Sequence, residues 1–470
     1  QAFSQGSSRS CRDIIASQDP RAIALIQYRP LMAKLVLLIS GAAAFADASN
    51  FAESGRVSSA DVQQLFETEF VSTSNSARVA GIEDGLRSTF ASLPKDGHGK
   101  LGHDAVRYVL HRYFVQRNGW FIKGLEPNGE TWSDASAPEA MKEWVPNYLQ
   151  SLMEQRLGDE GTSLRELAIV AAALEDLIDM EAKGRMETAF SIHDLPARGT
   201  VSEEQLREVI DTYFVMFLLA GNFSASDRED ALYKTEAFAA TYTGWDEAYT
   251  WMQDLLDTRM KDEAYDFQKA SRMVEDIGEQ YYKFNDMECR DLKVTLSEME
   301  GNKAGRVRLS QFYKKSLYSH WRFTEKADYL RVLGALDESD PRSPQVIVPN
   351  YIMARPNCLE SSNLYAICCR NECEDLMGHL ETRMGASVAE PQQIVELVSA
   401  LPSDTVTAPR ELSEALVQKL DQVAASNGGR VPLHGRLFAQ WMHHAYPREC
   451  PFPHAIGTTS PQTPDEWMAQ

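Results

Sequence analysis

Six side chains toward the C-terminus could do metal chemistry. Cys369 and Cys373 stand four residues apart, which puts both thiols on one helical face, and His443, His444, Cys450 and His454 follow downstream. Zinc takes thiolate and imidazole ligands in a tetrahedral site. The spacing matches no standard zinc module, however, and in an oxidising compartment the same thiols pair as disulfides. A second set offers oxygen ligands: Asp96, Asp194, Glu300 with Asn302, and Asp337 with Asp340. These lie in turns of the kind that hold calcium through carboxylate and amide oxygens. The acidic run Glu175, Asp176 and Asp179 reads as a solvated helix face. The chain carries no His-Glu-x-x-His, Gly-x-Ser-x-Gly, P-loop, dinucleotide fingerprint or haem-attachment pair. An enzyme reading, as a metal-dependent hydrolase or oxidoreductase, would therefore rest on the Cys/His set alone.

The oxygen-bearing turns belong to a repeat. A Gly-x-Val/Leu step leading into an amphipathic run occurs at Gly55, Gly99, Gly199, Gly305 and Gly429. A helix, a turn whose glycine takes positive φ, an inward apolar residue and a second helix make up the EF-hand plan. The segment from Ala189 to Leu206 closely resembles an EF-hand of the calmodulin type.

A working calcium loop needs oxygen donors at positions one, three and five and a bidentate Glu at twelve. The Gly199 loop puts Asp194, Pro196, Arg198 and Gln205 there, so a cation stands where the metal belongs. The Gly99 loop gives Pro94, Asp96, His98 and Ala105, and the Gly305 loop gives Glu300, Asn302, Ala304 and Gln311. The Gly55 loop gives Asn50, Ala52, Ser54 and Asp61; the Gly429 loop gives Ala424, Ser426, Gly428 and Gly435. These last two are weak matches that read equally as ordinary helix entries. No copy holds the ligand set, so the expectation is a metal-free scaffold, with calcium held by non-standard loops as the alternative. Because such units pair, Gly305 should pair with a sixth unit over 333–348 that lacks the glycine. Gly55 should pair with Gly99, and Gly199 with a unit near Gly161.

A chain of 470 residues is long enough for two to four domains and a large core. Its one strongly apolar run, Leu35 to Ala46, follows Met32-Ala33-Lys34 and closes on Ala44-Phe45-Ala46. A basic start, a short apolar centre and a small-x-small exit read as a secretory signal peptide. Met32 is the expected start, with residues 1–31 as translated upstream sequence. Removing 1–46 takes away five basic and two acidic residues, moving the formal charge from −21 to −24. So acidic a body argues against nucleic acid and anionic membrane surfaces. Cleavage also removes Cys11 and leaves Cys289, Cys358, Cys368, Cys369, Cys373 and Cys450, an even set that reads as disulfides. Neighbouring Cys368 and Cys369 have Cα atoms ~3.8 Å apart and should take different partners. Cys450 is expected to tie back to the 358–373 cluster, closing a loop worth ~4 kcal/mol in the chain-entropy model. Asn222-Phe223-Ser224 is an N-glycosylation pattern.

Along the chain, Asn118 to Glu130 reads as an irregular loop. Residues 137–219 read as helical, with Trp144, Tyr148, Leu149, Leu152 and Met153 at helix spacing. Residues 244–298 read as one long helix or two joined end to end, and 409–425 as another helix. Strands beyond the short loop pairings are hard to find.

The run from Arg355 through Cys358, Cys368, Cys369 and Cys373, and that from Gly429 through Trp441 and Cys450 to His454, resemble a large family of secreted dinoflagellate proteins. Trp120–Leu125, Leu164–Leu177 and Leu336–Tyr351 are similar as well. The resemblance implies degenerate EF-hand-like repeats with a Cys-rich C-terminal module, and it carries no assigned activity.

The fold expected is mostly α: paired degenerate EF-hand-like helix–loop–helix units with a disulfide-stapled helical C-terminal module. The divisions are 1–46 (upstream segment and signal peptide), 47–235 (EF-hand-like domain), 236–350 (long helix and EF-hand-like pair) and 351–470 (Cys-rich module with a loose tail). The function expected is that of a secreted or endomembrane non-enzymatic binding or structural protein. Calcium is the one cofactor the loops could take, and an extracellular ligand or protein is the expected partner. No membrane span is expected after signal cleavage.

Overall fold

The computed structural model describes residues 77–125, 161–242, 244–262, 264–315, 321, 323–455 and 458–459. The Gly55 loop, the signal-peptide reading, Cys11 and the Trp144–Met153 pattern lie outside the described residues.

The chain is mostly helical. Helices α1 (Ala77–Ser92) and α2 (His103–Asn118) lead to strand β1 (Trp120–Ile122) and then to the long α3 (Leu164–Ile192). Strand β2 (Thr200–Val201), α4 (Glu203–Leu218), α5 (Arg228–Thr241), α6 (Trp245–Arg259) and β3 (Tyr265–Asp266) precede the second long helix, α7 (Phe267–Ser297). Next come β4 (Arg306–Arg308), α8 (Leu309–Lys315), α9 (Ala327–Val332), β5 (Leu336–Asp337), β6 (Gln345–Ile347) and α10 (Val348–Ile352). Strand β7 (Tyr365–Ile367), α11 (Glu372–Met384), β8 (Val388–Ala389), α12 (Pro391–Ala400), α13 (Glu414–Ala425), β9 (Val431–Pro432) and α14 (Arg436–Ala445) complete the order.

Local chemistry sets where the helices begin. Ser163 with Glu166 and Ser202 with Gln205 form capping boxes at α3 and α4, each pair satisfying two backbone N–H groups that the first turn would leave open. Asp266 caps α7 by accepting from the Lys269 N–H. Ser413 caps α13, so that helix starts after the expected 409.

The repeated step builds the connections. In the four described copies the glycine has positive φ, and the apolar residue two places on is buried: Leu101, Val201, Val307 and Val431. Each of those residues pairs with a strand from another loop. Leu101 and Thr162 exchange N–H···O bonds at 2.9 Å, Val201 opposes Tyr265, Val307 opposes Val346, and Val431 opposes Ala389. The Gly305 loop thus meets the 345–347 strand, as its spacing led one to expect.

Other expectations are corrected or refined. Gly99 meets the Gly161 loop, which is therefore not the partner of Gly199; that loop pairs instead with Tyr265–Asp266. The stretch 244–298 is two helices, one of the two readings its periodicity allows, parted by the loop that supplies this strand. The Gly429 step is a paired turn like the others, with β8 opposite. The loop after Asn118 is also part strand, since Trp120–Ile122 pairs antiparallel with Tyr365–Ile367.

One apolar core joins α1 through α7 to β7, a second fills the space around Leu292, Val307, Phe312 and Tyr351, and a third packs α11 to α14 around Trp441. No helix among the described residues is long and apolar enough to cross a membrane.

Candidate functional site

The loop acids are engaged by the chain itself. Asp96 Oδ1 accepts from the backbone N–H groups of His98 and Lys100 at 2.8 and 2.9 Å, so it braces its own turn. Asp340 does the same with Arg342 N–H at 3.0 Å. Asp337 accepts from Arg306 Nε at 3.1 Å and from the Ser339 N–H. Asp194 is exposed with φ of 53°, and Asn302 is exposed. At position twelve of the Gly199 loop, Gln205 serves α4 instead, its Oε1 accepting from the Ser202 N–H at 3.0 Å.

Glu300 is the most committed of these acids. Its Oε1 accepts from the Gly305 N–H at 3.0 Å, and both oxygens accept from Arg448, the closest contact being 2.7 Å. Arg448 reaches it from a strap that follows α14. The strap continues across the third loop pair: Asn350 Nδ2 donates to the carbonyls of Phe452 and Gly334, Phe452 N–H donates to Asn350 Oδ1 at 2.7 Å, and His454 Nε2 lies 2.7 Å from the Gly334 carbonyl. Gly305 lets the strap approach, since a Cβ there would stand 2.0 Å from the Pro447 carbonyl oxygen.

Disulfides take up the candidate zinc thiols. Cys289 pairs with Cys369, Cys358 with Cys368, and Cys373 with Cys450, with Cα separations of 5.6, 4.1 and 4.6 Å. The neighbours 368 and 369 do take different partners, and Cys450 is tied to the cluster. With three of its six proposed donors oxidised, the Cys/His set has no thiolate to offer zinc. His443 is buried with Nδ1 2.6 Å from the Cys450 carbonyl, and burial lowers its pKa to about 4. A neutral imidazole adds little to a helix dipole, so buried His443, at the end of α14, serves packing. His444, at the same helix end, is exposed. Among the described residues, no three or more His, Cys, Asp or Glu side chains gather as a metal cage. Asn222, the glycosylation candidate, is exposed after α4.

Two buried charge networks escaped the sequence reading. In the first, Arg112 of α2 contacts Glu381 of α11, both side chains at most 1% exposed. Thr89 Oγ1 donates to Glu381, His434 Nε2 lies 2.9 Å from it, and Arg112 Nη2 donates to the Glu374 carbonyl at 2.8 Å. In the second, Arg185 donates to Glu181 and to the Ser361 carbonyl, both at 2.6 Å, while Glu181 also contacts Ser362 and accepts from the Asn363 N–H. This pair borders a narrow cleft between α3 and α7, walled by Trp120, Tyr213 and Tyr365, with Asp179 and Glu275 beside it. Burial and the neighbouring Glu275 raise the Asp179 pKa to about 7, so Asp179 is not the fully solvated acid its sequence surroundings indicate. One sequence signal was available: Arg185 interrupts an apolar helical stripe at a position that must be buried.

No family model, no curated protein and no solved structure matches the chain.

Proposed function

We propose that the chain is a secreted or endomembrane binding or structural protein, non-enzymatic, built on paired EF-hand-like units that are held together without calcium. The observation that carries this reading is Glu300: the first ligand position of the Gly305 loop is closed by Arg448 and by its own turn, so an internal cation stands in for the metal. The short antiparallel pairing between loops supports the EF-hand likeness, because EF-hands couple through that contact. Three disulfides support an oxidising, extracytoplasmic compartment. Thermal unfolding in a chelator and in millimolar calcium tests the proposal. Equal Tm values support it; a clear rise with calcium contradicts it, since a ligand of the folded state stabilises by mass action.

A further inference from the structure

The cleft between α3 and α7 has hydrogen-bond acceptors to spare and few donors. The Trp120 indole N–H is committed to the Gly278 carbonyl at 3.1 Å, and Arg185 is committed to Glu181 and Ser361. Glu181 in turn is filled by Arg185, Ser362 and Asn363. What remains is a phenol hydroxyl, which accepts as well as donates, and two carboxylates. Tyr213 is 1% exposed, and its hydroxyl has no hydrogen-bond partner among the described residues, although the phenol interacts electrostatically with Arg185, Glu181, Glu275 and Asp179. Glu275 Oε1 is buried without a hydrogen bond; Lys183 Nζ lies 3.1 Å away as an ion pair, from a side chain 47% exposed. Asp179 receives no hydrogen bond among the described residues.

Two carboxylates and an unpartnered phenol call for a ligand that brings N–H groups and positive charge. A bare metal ion fits poorly, because no cage of three ligating side chains forms among the described residues. The cleft has room for a group of about one water molecule's size, within a space of about 310 Å³ that includes open solvent. An ammonium head is that size, and a trimethylated one is not. The walls of Trp120 and Tyr365 suit the carbon chain behind such a head. We propose that this cleft binds the primary ammonium end of a small linear amine, with its N–H groups on Asp179, Glu275 and the Tyr213 hydroxyl.

Titration calorimetry on the full chain with 1,4-diaminobutane, against tetramethylammonium, tests the assignment. The diamine should bind at one site, and tetramethylammonium, which has no N–H, should give no heat. Asp179→Asn should weaken the diamine by roughly tenfold or more, and Tyr213→Phe by several-fold. Asp254→Asn, on the exposed face of α6, should leave it unchanged. Affinity should rise as pH passes through about 7 and Asp179 ionises among Asp176, Glu275, Glu279 and Lys183. Circular dichroism verifies folding, and Glu275→Gln provides the same test if either variant fails to fold. No diamine binding, equal binding of tetramethylammonium, or unchanged affinity in the folded cleft variants would overturn the proposal.

Discussion

Arg448 holds Glu300 with Nε 2.9 Å from both carboxylate oxygens and Nη2 2.7 Å from one, across 148 residues of sequence. The Glu300 side chain is 5% exposed, and the Arg448 cation offsets the cost of burying it. The same strap carries Cys450, whose disulfide to Cys373 anchors it on α11. One short segment therefore closes a loop and staples a module.

Replacing Arg448 by Ala should lower stability by about 2 kcal/mol, the worth of charge-assisted hydrogen bonds to a largely buried acid. Denaturant unfolding measures the loss. Arg448→Lys should recover only part of it, because an ammonium cannot reproduce the fork. The Ala variant should also lose the Cys373–Cys450 bond faster to a mild reductant, as the strap is freed.

Gln205 separates a helix cap from a failed calcium ligand. Gln205→Ala should cost about 1 kcal/mol by opening the capping box at α4. Gln205→Glu restores the twelfth-position carboxylate, yet calorimetry should show no calcium binding, since Pro196 and Arg198 still hold positions three and five.

The Arg112–Glu381 pair joins α2 to α11 inside the protein. Arg112→Ala would leave Glu381 buried with only Thr89 and His434, and should cost about 3–5 kcal/mol. An equilibrium unfolding curve reads this directly, and a loss under 1 kcal/mol, on the order of an exposed pair, would refute the burial argument.

Asp179 gives a pH signature. Its folded pKa, about 7, lies above its ordinary 3.8, so below the lower value both folded and unfolded chains are protonated and no penalty applies. As pH rises from 3.8 to about 7 the unfolded chain ionises first, and this residue progressively costs stability. Asp179→Asn should therefore stabilise the protein by on the order of 2 kcal/mol at and above neutrality and leave it nearly unchanged near pH 4. Unfolding curves across that range check both arms.

Local rules were readable where one residue decides one conformation. The turn glycines, the buried Leu101, Val201, Val307 and Val431, and the different partners of Cys368 and Cys369 all follow from short-range geometry. Partner choice between loops was harder, because two-residue strands carry no distinguishing pattern: Val201 meets Tyr265 across a loop concealed in a continuous apolar periodicity. The charge networks were least readable. Glu381 and Arg112 look like surface residues in sequence, and only the packing of α11 on α2 makes them a buried pair.

Calorimetric titration of calcium into the purified chain tests the central claim most directly. If the loops are held by Arg448, Arg306 and their own backbone, no binding appears at micromolar calcium. A saturating heat in that range would contradict the account and return the loops to the role of calcium sites.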